Sequence, residues 1–455
     1  MPQRGTFVRD ALLPMVTLAV PVIAAELGWM GMGVVDTLMV GPLGAAALGG
    51  TGIGTTLFIA VGVFGMGLLL GLDTVVSQAF GAGDREACDR WLIAGVWLAL
   101  IATLPLAVLL LVLWRLLPVL GLHPDVLPHV SAYFPIVATS LPPLLAYAAL
   151  RRYLQALSQV GAIAFTLVSA NLVNVLVNWI LIYGIGPAPA MGVRGAAWAT
   201  VLSRIYMVLV LAAIAWRLHR SGPATHVSWD WPTDRVRRLL ALGLPAAAHL
   251  TFEVGVFSAV TALAGQLAPQ ALAAHHIALI IASVVFMVPL GVSAAAAVLV
   301  GQHAGRGDGH GAMRAGWAAI LVTLAFMSAA ATAFVVAPGG FIRLFTAEAA
   351  VIALGSQLLG VAAAFQLFDG LQVTTTGALR GLGETRMPMY ISLVGYWVGG
   401  LPLGWWLCFR AGYGVIGLWL GLAASLCLVG SALLFLWHRR ITQTTRRLGG
   451  MLAAS

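Results

Sequence analysis

The third quarter of this chain repeats the first at a constant offset of 224 residues, without a gap. Residues 41–48 align with 265–272, and residues 78–84 (QAFGAGD) align with 302–308 (QHAGRGD). The second and fourth quarters also match, with small gaps. Self-similarity over half a chain predicts two copies of one structural half, joined in the same order.

The composition places these halves in a membrane. Hydrophobic residues make up 61% of the chain and charged residues 9%, and apolar runs long enough to cross a bilayer recur throughout. We therefore predict an all-α polytopic membrane protein with twelve transmembrane helices in two six-helix lobes. The twelve runs lie near residues 14–40, 45–71, 92–120, 130–150, 160–184, 194–217, 239–264, 270–300, 314–337, 350–376, 388–409 and 413–437.

The basic residues predict the orientation of the chain. All 24 are arginines, and nineteen lie in one set of alternate loops and in the tails. By the positive-inside rule this set is cytoplasmic, so both termini are cytoplasmic and the number of spans is even. The net charge of +9 is thus a topology signal, and we expect no nucleic-acid partner. Arg204 is exceptional because it lies inside a span.

One polar stretch with two prolines, residues 217–238, lies where the repeats join. It divides the chain into an N-lobe (residues 1–216, helices 1–6), a cytoplasmic linker (217–238) and a C-lobe (239–455, helices 7–12 and a basic tail). Because six spans precede the linker, the repeats are parallel. Parallel membrane repeats are typical of solute transporters, which bind their substrates at the interface of the repeats.

Four acidic residues lie inside predicted spans: Glu26, Asp36, Glu253 and Asp369. A charge at the centre of a lipid-facing helix costs about 2.5–3.5 kcal/mol on insertion scales. Such residues therefore face a cavity, carry a proton or hold a cation. Glu26 is the weaker candidate of the four, since a helix neighbour could hold it protonated, and Asp73 lies near a helix end where a carboxylate needs no special role.

Asp36 shares its depth with polar side chains of two other spans. At about 1.5 Å of rise per residue, Asp36, Asn178 and Thr200 fall in one layer roughly 7–11 Å into the outer leaflet. Asn174 and Asn171 lie deeper on the span of Asn178. Carboxylate, amide and hydroxyl oxygens at one level suit a proton relay or Na⁺. Alternatively, the asparagines only join helices by hydrogen bonds.

Glu253 and Asp369 differ in estimated depth by roughly 8 Å. If they meet, they share a proton or a cation, because two carboxylates in low dielectric cannot both stay ionised without a partner.

His275 and His276 have no nearby acid or cysteine in the sequence, which is weak evidence for a metal site. We find no P-loop, nucleophile elbow or metalloprotease motif, and therefore expect neither an enzyme nor a cofactor.

The chain resembles the multidrug and toxic compound extrusion (MATE) transporters, and among them the NorM-like branch. The resemblance covers nearly the whole chain and depends on the order and spacing of its pieces. These are Pro21, residues 35–44 (VDTLMVGPLG), 77–84 (SQAFGAGD), 174–178 (NVLVN), 192–200 (GVRGAAWAT), 243–245 (GLP) with Glu253, 273–275 (AAH), 301–302 (GQ), and Asp369 with 377–383 (GALRGLG).

The resemblance implies two V-shaped lobes that work by alternating access, with export of cationic or aromatic drugs driven by inward Na⁺ or H⁺. It assigns a first-lobe cation or substrate site to Asp36, Asn174, Asn178 and Thr200. It assigns the second-lobe site to Glu253 and Asp369, where Na⁺ is a possible ligand.

Two positions depart from the NorM-like pattern. His276 stands where relatives tend to have Gln, and Phe286 where some have Tyr. Both changes remove or alter neutral oxygen ligands, which favours H⁺ over Na⁺ in the second lobe, and His276 could itself titrate. We include both residues as candidates in the second-lobe site.

The sequence thus predicts a cation-coupled multidrug efflux antiporter, surrounded by lipid in a bacterial inner membrane and functional as a monomer. Three alternatives stay open. A lipid-linked precursor flippase of a related fold would be expected to line its cleft with basic residues. Another two-lobe exporter is suggested faintly by the Gly-Asp-Arg loop at 83–85. A membrane enzyme would need a clustered metal or nucleophile site.

Overall fold

The computed structural model describes residues 7–184, 189–221 and 231–454, and within these ranges the secondary structure is entirely helical. Eleven described helices are long and apolar enough to cross a membrane, or twelve when one bent pair counts as a single span. They coincide with the twelve predicted runs. We number them α1 (Val8–Leu43), α2 (Ala45–Gly81), α3 (Arg85–Val119), α4 (Leu127–Ala138 and Leu141–Ala156), α5 (Val160–Tyr183), α6 (Val193–Arg220), α7 (Thr233–Ala264), α8 (Pro269–Gly305), α9 (Gly309–Val336), α10 (Ala349–Gly381), α11 (Arg386–Phe409) and α12 (Gly414–Arg447).

Helix α4 is broken at Thr139 and Ser140, where its two segments meet at 46°. Pro142 and Pro143 open the second segment. Neither proline has an N–H to donate to a carbonyl one turn earlier, and each ring crowds that carbonyl, so the helix cannot continue through this point.

The repeat seen in the sequence is repeated in the structure. Asp84 caps α3 by accepting a hydrogen bond from the Ala87 N–H at 2.8 Å, and Asp308 caps α9 by accepting one from the Gly311 N–H at 2.7 Å. Each aspartate follows a glycine with a left-handed φ, 79° at position 83 and 75° at position 307, which favours glycine. Partial burial raises the pKa of Asp308, but the Gly311 N–H and His303 outweigh it and hold that pKa below its ordinary value.

The helices pack into two compact units. The N-unit is residues 24–247, and the C-unit is residues 1–23 together with 248–455. Within the N-unit, a Cβ on Gly67 would lie 2.5 Å from the Cα of Ala247; within the C-unit, a Cβ on Gly291 would lie 2.5 Å from the side chain of Ile23. Gly291 lies 224 residues after Gly67, and Ile23 lies 224 residues before Ala247, so the two contacts are equivalent in the repeat. Equivalent glycines thus let equivalent helices approach closely in each unit.

The unit boundaries fall inside α1 and α7, whereas the sequence-based division was drawn at the predicted linker, residues 217–238. The flanks of that linker are helical, since α6 ends at Arg220 and α7 begins at Thr233. Residues 222–230 lie outside the described residues, as does Arg4 of the basic N-terminal tail. The basic C-terminal segment continues α12 as one helix to Ala454.

Candidate functional site

The N-unit brings the predicted first-lobe residues into direct contact. Asn178 on α5 donates its side-chain amide to Asp36 on α1 at 2.7 Å, and to the Asn174 carbonyl oxygen at 3.1 Å. Thr200 on α6 donates its hydroxyl to the other Asp36 oxygen at 3.4 Å. Both asparagines are fully buried and Thr200 is 5% exposed. Two helices, α5 and α6, therefore converge on the carboxylate of α1 through neutral donors.

Two residues that the sequence did not connect with this cluster also face it. Tyr133 on α4 is buried, and its hydroxyl lies 3.1 Å from that of Thr55 on α2. Arg204 lies one helical turn beyond Thr200 on α6, and both Tyr133 and Arg204 are close enough to Asp36 to interact with its charge. The i, i+4 spacing of 200 and 204 was a usable sequence signal for Arg204, since such residues share a helix face.

The asparagines of α5 divide into two roles. Asn171 donates to the backbone carbonyl of Gly28 on α1 at 3.0 Å, so it joins helices. Asn174 Nδ2 and Asn178 Oδ1, by contrast, are buried with no hydrogen-bond partner among the described residues. Orphaned buried polar atoms cost free energy, and in native proteins they commonly mark a site for water, an ion or a ligand.

In the C-unit, Gln372 connects the two predicted carboxylates. Its side-chain amide donates to Glu253 at 2.6 Å, and Asp369, one turn earlier on α10, lies close enough to Glu253 and Gln372 to interact with both. Glu253 and Asp369 are each 7% exposed and Gln372 is fully buried. The amide oxygen of Gln372 has no partner in the described part of the chain. This contact places Glu253 beside the turn of α10 that holds Asp369 and Gln372, so the depth difference estimated from the sequence does not keep the two carboxylates apart.

Tyr396 and His249 are further members of this cluster that the sequence analysis missed. Tyr396 lies on a π-helical segment of α11, Leu393–Gly400. It is fully buried, its hydroxyl has no hydrogen-bond partner in the described residues, and it interacts with the charges of both Glu253 and Asp369. His249 Nε2 lies 3.9 Å from Glu253. Insertions that make a π-helical turn often occur at functional sites.

The neighbouring histidines have different surroundings. Trp419 donates its indole N–H to His275 Nδ1 at 3.0 Å, and His275 Nε2 lies 2.9 Å from the Thr261 hydroxyl. Both ring nitrogens are engaged, so His275 joins α7, α8 and α12 as a neutral structural residue. The Thr261 contact aligns α7 with α8 and places His276 about 10 Å from the level of Glu253. His276 is exposed and packs on the His275 ring.

The other acidic candidates are held by arginines. Glu26 forms a buried salt bridge with Arg151 of α4, so it is held by a cationic partner. Asp73 on α2 lies 3.5 Å from Arg152, which follows Arg151 on α4. Phe286 is partly buried on α8, and its side chain offers no oxygen to an ion.

The chemistry available in both clusters is that of hard oxygen donors. The described residues contain no group of three or more His, Cys, Asp or Glu arranged to hold a metal ion. Glu253, Asp369, Gln372 and Tyr396 instead offer carboxylate, amide and phenol oxygens, which suit a proton or an alkali cation.

Fold and site define a polytopic helical membrane protein with a buried acidic cluster in each unit. The MatE family model matches the chain twice, over residues 21–180 and 245–406, and the two matches begin at the 224-residue offset of the internal repeat. The chain belongs to the MatE family.

Individual relatives cover nearly the full length. The chain is 36% identical to a probable multidrug resistance protein NorM of Bradyrhizobium diazoefficiens, covering 99% of this chain and 97% of that protein. It is 36% identical to a protein of the same description from Deinococcus radiodurans, covering 94% and 96%.

Solved structures show the same fold. A crystal structure of a MATE protein in a bent conformation superposes with a TM-score of 0.88 at 18% identity, covering 99% of this chain and 100% of that one. The eukaryotic MATE transporter AtDTX14 superposes with a TM-score of 0.85 at 22% identity, covering 97% and 99%.

Proposed function

We propose that this protein is a multidrug efflux antiporter of a bacterial inner membrane, which exports cationic or aromatic compounds in exchange for H⁺ or Na⁺. Both termini face the cytoplasm, and one chain is the working unit. The family, and the multidrug resistance proteins among the relatives, support export of drugs.

The observation that carries the coupling proposal is the contrast between two kinds of buried acid. Glu26 and Asp73 have arginine partners within salt-bridge distance. Among the described residues, Asp36, Glu253 and Asp369 have none; their direct partners are the neutral amides and hydroxyl of the two clusters and, for Glu253, the more distant His249 ring. A buried carboxylate without a cation is costly unless a proton or a mobile cation neutralises it.

The mechanism follows from competition for these carboxylates. An ionised carboxylate attracts a cationic drug from the inner side of the membrane. Binding of H⁺ or Na⁺ from the outer side neutralises the same group, removes the attraction and releases the drug outward. The neutral side chains that hydrogen-bond the carboxylates orient them; they are Asn178 and Thr200 in one unit and Gln372 in the other.

The test is dye efflux from proteoliposomes that hold the purified full-length chain, under an imposed pH gradient or an imposed Na⁺ gradient. The wild-type protein should move a cationic dye under at least one gradient, which identifies the ion. Asp36→Asn, Glu253→Gln and Asp369→Asn should each reduce gradient-driven efflux at least tenfold.

Matched controls use acids on exposed segments. Glu348 and Asp125 are both exposed, so Glu348→Gln and Asp125→Asn should retain wild-type efflux. If the three site variants transport as well as these controls, the carboxylates do not couple transport and the proposal is wrong.

The flippase alternative predicts a different result in the same vesicles. A fluorescent lipid-linked diphosphate would be translocated, and a cationic dye would not. The acidic character of the C-unit cluster opposes an anionic diphosphate headgroup, because like charges repel strongly in a low-dielectric site.

A further inference from the structure

Arg204 is a charged residue inside a membrane span that the proposed transport cycle leaves without a role. It is 7% exposed, and an arginine side chain stays positively charged at physiological pH. Its guanidinium donates to the hydroxyl of Ser140 at the break of α4, and its central carbon lies 4.4 Å above the centre of the Phe58 ring on α2. A hydroxyl and an aromatic face hold the group in position without neutralising it.

The carboxylate that interacts with the charge of Arg204 is Asp36. Arg204 forms no salt bridge within the described ranges, and Asp36 is the carboxylate whose charge acts on it. The link between them is Thr200, which donates to Asp36 and lies one turn from Arg204 on the same face of α6. The other groups facing Asp36 are neutral at physiological pH: Asn174, Asn178 and Tyr133.

We propose that Arg204 is a fixed counter-charge of the Asp36 cluster, and that it sets how readily this carboxylate exchanges a cationic substrate for a proton. The inference depends on the proposed role of Asp36. With Asp36 ionised the cluster has no net charge, and with Asp36 protonated it has a net charge of +1. Protonation therefore removes the local negative charge that holds the drug and leaves the positive charge of Arg204 unopposed, which repels a cationic drug.

A purely structural role for Arg204 makes a different prediction. If the guanidinium only ties α6 to the break of α4, its replacement would lower stability and drug affinity at every pH alike. If it is a counter-charge, its replacement moves the pH at which protons displace the drug. Removing a positive charge near a carboxylate makes protonation easier, so the displacement occurs at higher pH.

The experiment measures equilibrium binding of rhodamine 6G, a monocation of fixed charge, to purified full-length protein between pH 4 and pH 9. Glu253→Gln and Asp369→Asn are present in every variant, so that the C-unit carboxylates do not titrate. In this background we expect Arg204→Gln to raise the midpoint of displacement by about one pH unit, because an opposite charge within a few ångströms shifts titration by about 1–3 units and Arg204 is not in direct contact.

Two further substitutions separate charge from shape. Arg204→Met keeps the long aliphatic stem against Phe58 and should raise the midpoint like Arg204→Gln, so either variant suffices if the other fails to fold. Arg204→Lys keeps the charge and should leave the midpoint unchanged. Arg194, which is exposed on the same helix, provides the matched control, and Arg194→Gln should also leave the midpoint unchanged.

The outcomes distinguish the inference from the function on which it depends. If Asp36→Asn leaves the pH dependence of binding intact in this background, the proposed function of Asp36 is wrong. If Asp36→Asn abolishes the pH dependence, but both neutral replacements of Arg204 keep the parental midpoint, the role of Arg204 as a counter-charge is wrong and the function of Asp36 stands.

Discussion

The buried salt bridge between Glu26 and Arg151 makes a strong prediction about stability. The two side chains are 11% and 8% exposed, and the pair packs beside Tyr147, whose ring stacks on Trp29 with centroids 6.0 Å apart. Removing one partner of such a pair strands the other charge in the protein interior. Arg151→Met should therefore lower the free energy of unfolding by about 3–5 kcal/mol.

The double variant is the informative one. Glu26→Gln combined with Arg151→Met removes both charges, and replacing a buried ion pair with neutral groups of similar size is often close to neutral. We expect the double variant to recover most of the loss, leaving a deficit of about 0–1 kcal/mol. The assay is denaturant unfolding of purified protein in detergent, followed by tryptophan fluorescence, at low and at high salt.

The surface pair of Arg440 and Glu384 is the matched control. Its atoms lie 2.7 Å apart, but Arg440 is 44% exposed, so Arg440→Met should cost less than about 1 kcal/mol. The cost should fall with salt at the surface pair and persist at the buried pair. If Arg151→Met costs no more than Arg440→Met, or if the double variant is no more stable than Arg151→Met, the buried pair is not what holds Glu26.

Three other predictions follow from particular contacts. Gly67→Ala should cost about 1–3 kcal/mol, because its Cβ would lie 2.5 Å from a backbone atom, whereas Gly52→Ala on the same helix has nothing within 4 Å and should be neutral or stabilising in the same unfolding assay. Tyr396→Phe should weaken the apparent affinity for the coupling ion about tenfold, since a hydrogen bond to a charged group contributes about 1.5–3 kcal/mol. Stability should be unchanged, because the hydroxyl has no partner in the described residues. Equal ion dependence of transport in the variant and the wild-type protein would contradict this. Asp308→Ala should lower stability by about 0.5–2 kcal/mol through loss of the helix cap. Because the pKa of Asp308 is held below its ordinary value, this stability difference should be present at neutral pH and shrink as the pH falls below about 4. A stability difference that does not depend on pH would contradict the assignment of Asp308 as a cap.

The sequence predicted the grouping of polar residues in the N-unit better than the grouping in the C-unit. Asp36, Asn178 and Thr200 could be placed at one depth by counting residues from span ends, because each lies on a helix that runs without a break through this layer. In the C-unit the same counting separated Glu253 from Asp369. It could not anticipate that Glu253 contacts Gln372 on the helix of Asp369, because helix tilt and side-chain reach cannot be counted from span ends.

Residues with a role in packing and residues with a proposed role in transport looked alike in the sequence. Glu26 and Asp36 are ten positions apart on one helix, and both are acids in an apolar run. Their difference is whether an arginine from another helix forms a salt bridge with them, as Arg151 does with Glu26. The structural role of His275 likewise can be told from that of its neighbour His276 only when the contact of His275 with Trp419 is known.

The sequence by itself determined the parallel repeat, the twelve helices and the burial of a few charges, because hydrophobic length and periodicity act locally along the chain. Only the tertiary structure decided which buried charges have partners, since a salt bridge such as that of Glu26 joins residues 125 positions apart. It likewise decided that Tyr396 faces two carboxylates, because the π-helical segment of α11 sets the direction of that side chain. Helices form from neighbouring residues, but a site forms from the faces that packing brings together.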